Sequence, residues 1–437
     1  MLFERKQYLQ RLVHGQGNGM VKIVTGIRRC GKSYLLFNIF RQYLLDHGTD
    51  ADHIICLSLD DHRNQSLTQP DTLLSYIDAH TVQDGRLNYV ILDEVQLVED
   101  FVGVLLSLMH TPNMEVYVSG SNSKFLSSDV VTEFRGRGWE IHVQPLSFAE
   151  YYAVAGGDKQ EALNQYYTYG GLPQVYAMPT PYEKEQYLKN LYETTYLRDV
   201  IDRNHLQNAE GMRQLIQVLA SDIGASTNPR RIANTFLSEE RIAIKDTTIR
   251  KYIDYLQNAF IIHEALRYDV KGRKYIGTET KYYFEDMGLR NAIINFRQVE
   301  FNHVMENVLY NELRMRGYSV DVGAVQTYEK DKNGKTVRKN LEVDFVVNRG
   351  SERVYIQSAY MLPDYEKTLQ EQRPLLHLPD NFSKVIIVGD RYYSHYNDGG
   401  IRIVGLFDFL LNEEETLQHS TVLHNIGFSQ RDRVLNS

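Results

Sequence analysis

The chain contains one stretch that decides its fold, Val21-Lys22-Ile23-Val24-Thr25-Gly26-Ile27-Arg28-Arg29-Cys30-Gly31-Lys32-Ser33. Its first five residues are typical of a buried β-strand, and the next eight have the pattern G-x-x-x-x-G-K-S. The apolar residues that follow, from Tyr34 to Phe40, favour a helix. A strand, a glycine-containing loop and a helix in this order predict a phosphate-binding loop, with ATP and Mg²⁺ as its ligands.

The residue types of this loop suit that role. Glycines at both ends let the backbone curl so that its N–H groups face the phosphates. Lys32 is expected to reach the β- and γ-phosphates, and the Ser33 hydroxyl to bind Mg²⁺. The loop residues predicted to contact the nucleotide are Gly26, Ile27, Arg28, Arg29, Cys30, Gly31, Lys32 and Ser33. Cys30 allows two interpretations, a thiol activated by the helix N-terminus or a small filler side chain.

A second motif, Tyr89-Val90-Ile91-Leu92-Asp93-Glu94, supports the first one. Four consecutive apolar residues predict a buried parallel strand, which delivers two carboxylates at its C-terminal end. Asp93 is expected to hold Mg²⁺ directly or through water. Glu94 is expected to orient or deprotonate the attacking water. Gln96 either helps to place that water or lies in a solvated loop.

Two further segments offer catalytic candidates. The strand Glu115-Val116-Tyr117-Val118-Ser119 leads into Gly120-Ser121-Asn122-Ser123, where Asn122 or Ser121 is placed to contact the γ-phosphate. Further on, Arg135 and Arg137 are candidates for an arginine finger, in cis or from a neighbouring subunit. A polar turn and a solvated basic turn are the respective alternatives.

The composition excludes several classes of protein. With 437 residues, two or three domains are expected. Two cysteines rule out a disulfide scaffold and a cysteine-based zinc site. No apolar run is long enough to span a membrane, and the first residues lack the apolar core of a signal peptide, so we predict a cytoplasmic protein without membrane partners. A net charge of -8 argues against a chain that is basic over its whole surface.

These motifs together resemble the AAA-type ATPases of bacteria and archaea that carry a C-terminal domain of unknown function. The resemblance continues through Pro145-Leu146-Ser147-Phe148, Tyr169-Gly170-Gly171-Leu172-Pro173 and Tyr196-Leu197-Arg198-Asp199-Val200. It implies an α/β fold in which residues 1–150 form the P-loop ATPase domain, with a parallel sheet between helices. It also implies that residues 151–210 form a helical lid.

Residues 211–299 predict a winged helix, because three helical patterns are followed by two short β-like runs around Lys271-Gly272-Arg273-Lys274. The segment 211–290 has 13 Lys and Arg against 10 Asp and Glu, whereas the whole chain is acidic. DNA phosphates are therefore possible partners of the side chains Arg250, Lys251, Lys271, Arg273 and Lys274. The alternative is a module that packs against protein.

Residues 300–437 predict a separate α/β domain with the layout of restriction-endonuclease-like nucleases. Glu306 on a helix, Asp344 on a strand and Gln357 on the next strand match three of the four metal-site positions. The fourth position holds Ala359 where a Lys is expected. We therefore predict a degenerate and inactive site, unless Lys339 or another residue supplies the amine. A generic α/β domain with solvated carboxylates is the third interpretation.

The sequence thus predicts an ATP-hydrolysing switch that couples nucleotide state to movement of its other domains, on DNA or on a protein client, alone or as a homo-oligomer. Two other hypotheses stay open at this stage. One is an ATP-gated DNA-binding regulator or defence module with little turnover, and the other is a metal-dependent nuclease.

Overall fold

The computed structural model describes residues 3–120, 136–239, 244–297, 300–330, 335–389, 394–412 and 417. These residues divide into two compact units. The first unit holds the described residues of Met1–Ile223, Pro229–Glu264 and Tyr282–Val299, and the second holds those of Gly224–Asn228, Ala265–Lys281 and Glu300–Ser437. Among the described residues, no helix combines the length and the apolar character needed to cross a bilayer.

The first unit is built on a five-stranded sheet in the order β2-β3-β4-β1-β5. All of its strand pairs are parallel. Its strands are β1 Val21–Thr25, β2 Ile54–Ser58, β3 Asn88–Asp93, β4 Met114–Ser119 and β5 Gly138–His142. β1 and β3 are buried over their whole length, as their apolar sequences predict for strands covered on both faces.

Helices surround this sheet and continue beyond it. Lys6–His14 precedes β1, and between the strands lie Lys32–Tyr34, Leu35–Phe40, Arg41–Asp46, Ala51–His53, His62–Thr68, Pro70–His80, Val95–Leu97 and Phe101–Met109. After β5 the helices are Phe148–Ala155, Lys159–Tyr169, Pro173–Tyr176, Pro181–Leu191, Tyr192–Leu197, Arg198–Arg203, Ala209–Ser221, Pro229–Glu239, Asp246–Asn258 and Met287–Ile293. Leu35–Phe40 and Tyr192–Leu197 are π-helical stretches inside longer helices.

The second unit is built on an eight-stranded sheet in the order β12-β13-β11-β10-β9-β8-β6-β7. The strands are β6 Ile262–Asp269, β7 Lys274–Phe284, β8 Ser319–Lys330, β9 Thr336–Arg349, β10 Glu352–Ala359, β11 Ser383–Val388, β12 His395–Tyr396 and β13 Arg402–Gly405. The helices Phe301–Met315, Tyr365–Leu376 and Leu406–Leu411 belong to this unit. The predicted α/β character of the C-terminal region is therefore present.

The segment predicted to be a winged helix contains three helices and two strands in the expected order. The outer parts of β6 and β7 belong to the second unit, however, and β6 pairs in parallel with β8, with Arg267 opposite Val322. The reason is that β6 forms main-chain hydrogen bonds with the larger sheet. The two units do change at residues 299/300, but Gly224–Asn228 and Ala265–Lys281 also belong to the second unit. The predicted domain division and the winged helix stay predictions.

Candidate functional site

The phosphate-binding loop leaves the end of β1 and turns into the helix that starts at Lys32. Gly26 has φ +138° and Gly31 has φ +103°, conformations that L side chains rarely adopt. A Cβ atom at Gly26 would lie far inside van der Waals contact with the carbonyl oxygen of Val143. Glycine is therefore required at the first position for two reasons, the backbone angle and the close approach of the segment after β5.

Lys32 is buried, with 4% exposure, and its ammonium group is held by the loop itself. Its Nζ atom donates to the carbonyl oxygens of Gly26 and Ile27 at 2.9 and 3.0 Å. Both acceptors are neutral carbonyl groups, so a charged phosphate oxygen would be a stronger acceptor for the same N–H groups.

The carboxylate of Asp93 lies at the centre of the site. The hydroxyls of Ser119 and Ser33 both donate to it. Burial raises the pKa of Asp93, and these hydrogen bonds oppose that shift. The side chain predicted to bind Mg²⁺ from the loop and the one predicted from β3 are thus already in contact. Both present oxygen atoms, which are the ligands that Mg²⁺ prefers.

Glu94 lies in a sharp turn directly after β3. Its backbone is left-handed, with φ +54°, and its N–H donates to Ser119 Oγ at 3.3 Å. The Gln96 side-chain amide donates to the Glu94 carboxylate, while Gln96 Oε1 is buried without a hydrogen-bond partner among the described residues. Gln96 is therefore a positioning partner of Glu94, and one acceptor atom at this point is left for a donor such as water.

A cavity of about 1030 Å³ opens beside these residues, at the upper end of the size range of ligand sites. Its lining includes Lys32, Ser33, Glu94 and Gln96. It also includes Thr195 and Arg203, which lie on the long helix formed by the consecutive segments Pro181–Leu191, Tyr192–Leu197 and Arg198–Arg203. Lys32 and Ser33 of the loop and Glu94, directly after β3, therefore face one common space, and Asp93 is joined to it by its hydrogen bond with Ser33.

Sequence reasoning missed the charged residues that this long helix supplies. Asp199 Oδ2 accepts from Arg28 Nε at 2.8 Å, and a nitrogen of Arg203 lies 3.7 Å from the same oxygen. Burial lowers the pKa of Arg203 and raises that of Asp199. The Tyr196 hydroxyl donates to the Arg28 carbonyl oxygen. Asp199 belongs to a motif of the family resemblance, which was the available signal, whereas no local pattern marks Arg203.

Other predicted residues of the loop have contacts of their own. Arg29 donates to Gln174 Oε1 and to the Tyr187 hydroxyl, each at 3.0 Å. Cys30 is completely buried and its Sγ donates to the Val143 carbonyl oxygen at 3.1 Å. Burial raises the pKa of Cys30, which favours the packing interpretation over that of a reactive thiol.

The predicted arginine finger in cis is wrong for Arg137. β5 runs parallel to β1, and Val21 at the start of β1 pairs with Gly138. Arg137 therefore lies at the N-terminal edge of the sheet, whereas the phosphate-binding loop leaves the C-terminal end of β1. Five residues of strand separate the two positions, about 16 Å. Asn122 and Arg135 lie outside the described residues.

A second group of ionisable residues lies in the second unit. It includes Glu306 and Asp344, two of the three residues that the sequence predicts for a nuclease-like metal site. Lys281 Nζ lies 2.8 Å from Glu306 Oε1 and 2.8 Å from Glu342 Oε1. Asp344 Oδ2 accepts from the N–H of Ser358 at 2.7 Å. Burial and the nearby Glu306 charge raise the pKa of Asp344 well above its usual value.

Gln357 lies next to this group by its position in the sheet. β9 and β10 are antiparallel with Ile356 opposite Phe345, so the next pair along the ladder is Gln357 and Asp344. Gln357 is 8% exposed, and its Oε1 atom has no hydrogen-bond partner among the described residues. Ala359 packs in the apolar core, and Lys339 pairs with Glu329. Lys281 on β7, not Lys339, is therefore the amine that this site contains.

The basic residues predicted to contact DNA are divided between the two units. Arg250 and Lys251 are exposed on the helix Asp246–Asn258 of the first unit. Lys271 and Arg273, between β6 and β7, and Lys274, the first residue of β7, are exposed in the second unit. Lys271 Nζ donates to the Gln326 carbonyl oxygen at 2.8 Å.

Two family models match the chain. Residues 18–152 match an AAA domain (AAA_14), and residues 160–300 match a domain of unknown function (DUF8612). An uncharacterized protein of Haemophilus influenzae is 32% identical over 415 residues, covering 94% of this chain and 99% of that protein. An uncharacterized protein of Methanocaldococcus jannaschii, MJ1544, is 25% identical over 411 residues, covering 89% and 85%.

Among solved structures, the Walker-type ATPase PABY2304 of Pyrococcus abyssi has a TM-score of 0.46 at 14% identity and covers 67% of this chain and 96% of its own. The ORC2 protein of Aeropyrum pernix, solved with ADPNP and ADP, has a TM-score of 0.38 at 12% identity and covers 70% and 92%. The full-length sequence match and the N-terminal family model are the findings that classify this protein. The chain belongs to the same family as the Haemophilus influenzae protein, and its N-terminal part is an AAA domain of the P-loop NTPase class.

Proposed function

We propose that the AAA domain binds ATP with Mg²⁺ and hydrolyses it to ADP and phosphate. The observation that carries this proposal is the common cavity onto which Lys32, Ser33 and Glu94 open, with Asp93 hydrogen-bonded directly to Ser33. A loop that only binds phosphate does not need a carboxylate such as Glu94 beside it. The arrangement therefore supports hydrolysis and not binding alone.

In this proposal each side chain has one task. Lys32 exchanges its two carbonyl acceptors for phosphate oxygens, and its charge stabilises the negative charge that develops on the transferred group. Ser33 and Asp93 would hold Mg²⁺, which when bound neutralises phosphate charge. Glu94, oriented by Gln96, accepts a hydrogen bond from the attacking water and takes its proton.

The long helix from Pro181 to Arg203 is proposed to sense the nucleotide. Arg28 is tied to it twice, through Asp199 and through the Tyr196 hydroxyl, and Arg203 lines the same cavity. A γ-phosphate would compete with Asp199 for both arginines, because phosphate oxygens and the Asp199 carboxylate are alternative acceptors for the same guanidinium groups. Loss of that phosphate would return the arginines to Asp199, which gives the helix two states.

Nucleotide binding and hydrolysis of paired variants test the proposal. Lys32→Ala should weaken ATP binding strongly and Ser33→Ala should weaken it mainly when Mg²⁺ is present, measured by fluorescence of a labelled ATP analogue. Lys6→Ala, an exposed lysine of the same unit, is the matched control and should bind as the wild type does. Equal ATP affinity for Lys32→Ala and Lys6→Ala would contradict the proposed site.

A second candidate function, metal-dependent cleavage of a phosphodiester, is favoured by the position of Lys281. Three carboxyl groups, those of Glu306, Glu342 and Asp344, surround one ammonium group. The two glutamates outnumber that ammonium group, and Gln357 Oε1 has no hydrogen-bond partner among the described residues, so the group fits a divalent cation. Lys281 would take the role of the Lys that is missing at position 359 and support the attacking water.

The exposed Lys271, Arg273 and Lys274 of the same unit are proposed to contact nucleic-acid phosphates. Nicking of a supercoiled plasmid with Mg²⁺ or Mn²⁺ tests the second candidate. Activity should be lost in Asp344→Ala and in Lys281→Met, and kept in Lys339→Met. The absence of nicking by the wild type at any ratio of protein to plasmid would instead support the sequence-based prediction of an inactive site.

Assembly is proposed for the ATPase as well. Because Arg137 lies at the edge of the sheet opposite the loop, it would reach an ATP only in a neighbouring subunit. Mass in solution should then increase with ATP. An Arg137→Ala variant should still bind ATP but should lose the part of the hydrolysis rate that depends on assembly. A chain that stays monomeric with ATP and hydrolyses it at full rate would contradict this role.

A further inference from the structure

His142, His263 and Glu285 form a compact group within the first unit, separate from the nucleotide cavity. One ligand atom from each residue lies within 4.8 Å of the others. His142 Nε2 lies 2.8 Å from Glu285 Oε1, and His263 Nε2 contacts Glu285 Oε2. The Glu285 side chain is completely buried, and the two imidazole rings are 19% and 13% exposed. A buried carboxylate held between two imidazoles needs a positive charge beside it.

The neighbours of His142 decide which of its ring nitrogens carries a proton. Its Nδ1 atom lies 3.2 Å from Thr25 Oγ1, and the Thr25 hydroxyl donates its proton to Glu140 Oε1 at 2.9 Å. Thr25 Oγ1 therefore accepts from His142, so Nδ1 of His142 carries a hydrogen. In the neutral ring, Nε2 then presents a lone pair to the lone pairs of Glu285. The contact between His142 Nε2 and Glu285 Oε1 is therefore attractive only when a cation lies between these two atoms.

We propose that this cation is a transition-metal ion of the Zn²⁺ type, bound by His142, His263 and Glu285. Two imidazole nitrogens and one carboxylate oxygen form a donor set for Zn²⁺ and its neighbours in the first row, and not for Mg²⁺ or Ca²⁺. The hydrogen bond from His142 to Thr25 is the outer contact that metal-bound imidazoles normally have, and it directs Nε2 inward. The partial exposure of both rings leaves a fourth position for water.

The site would join distant parts of the sequence. His142 ends β5 at the edge of the ATPase sheet, His263 lies on β6, and Glu285 directly follows β7. Thr25, which orients His142, is the residue before Gly26 of the phosphate-binding loop. The ring of Phe260 packs on His142 with a centroid separation of 4.8 Å and limits access of water from that side. A bound metal would fasten the end of β5, next to the loop, to the segment that carries His263 and Glu285.

Metal binding to the purified full chain tests the site directly. The protein is stripped with EDTA, and Zn²⁺ is titrated against a chromogenic chelator at pH 7.5. One Zn²⁺ per chain is expected. His142→Ala, His263→Ala and Glu285→Gln should each weaken binding by more than about 10-fold, which is the loss that even an outer hydrogen-bond partner produces. His80→Ala, a histidine of the same unit that is bonded to the Tyr76 carbonyl oxygen, should bind like the wild type.

Two further measurements keep the test decisive if a variant does not fold. Zn²⁺ should raise the melting temperature of the wild type, because a ligand of the native state stabilises it, and Mg²⁺ at the same concentration should not. Co²⁺ should give the visible absorption of a four-coordinate site. The proposal would be overturned if the wild type failed to bind Zn²⁺ stoichiometrically, or if all three ligand variants still bound it. The positive charge of this group would then come from protonated histidines and not from a metal ion.

Discussion

Replacing Gly26 by Ala adds one carbon atom at the point where the phosphate-binding loop leaves β1. That atom would collide with the carbonyl oxygen of Val143 and lie 3.1 Å from Cys30 Sγ, and Gly26 has φ +138°. The backbone strain at such an angle costs about 1–3 kcal/mol, and overpacking costs a similar amount. Both can be relieved only if the loop moves away from the segment after β5.

We expect Gly26→Ala to lower the melting temperature by roughly 10 °C, since about 4 kcal/mol is lost at about 2–4 °C per kcal/mol in a domain of this size. ATP affinity should fall by about 100-fold or more, which corresponds to about 3 kcal/mol. Gly85→Ala is the matched control, because Gly85 also has positive φ, +83°, but no described atom lies within 4 Å of its added Cβ. Differential scanning fluorimetry and a labelled ATP analogue measure both effects. A Gly26→Ala protein that melts and binds ATP like Gly85→Ala would contradict the requirement for glycine at position 26.

Two further predictions concern buried charges of the first unit. Lys22 Nζ forms a buried ion pair with Glu115, so Lys22→Met should destabilise the protein by about 3–5 kcal/mol in a denaturant titration. The double variant Lys22→Met with Glu115→Leu should recover most of this loss. A double variant whose loss equals the sum of the two single losses would contradict the pairing. Burial raises the pKa of Asp286 to about 6, so the native state holds this proton more tightly than the unfolded state does. The free energy of unfolding of the wild type relative to Asp286→Asn should therefore be highest near pH 4 and should fall as pH rises to about 6; a difference that is flat or rises over this range would contradict the raised pKa.

Local sequence signals predicted the ATPase sheet well. β1 and β3 are short apolar runs of a length that suits buried parallel strands, and glycines at fixed spacing mark the loop between β1 and its helix. These signals depend only on residues that are close in sequence, so they can be recognised before the fold is known. The structure accordingly brings Lys32, Ser33 and Asp93 together as the two motifs predict.

Residues brought in from distant segments escaped prediction. Lys281 joins Glu306 and Glu342 because β7 extends the edge of the C-terminal sheet, and no motif around position 281 signals this. From the sequence, Arg137 is one of two candidates for an arginine finger, in cis or from a neighbouring subunit. The parallel register of β5, which places it at the other edge, depends on a crossover that a single sequence does not specify.

The proposal that Glu94 is the base of ATP hydrolysis is tested by the rate of phosphate release from ATP by Glu94→Gln, compared with the wild type at equal nucleotide occupancy. Gln keeps the size of the side chain and its contact with Gln96 but cannot take a proton from water. We predict ATP binding within about twofold of the wild type and hydrolysis reduced by about 100-fold or more, the contribution of a general base. Hydrolysis at the wild-type rate by Glu94→Gln would contradict this proposal.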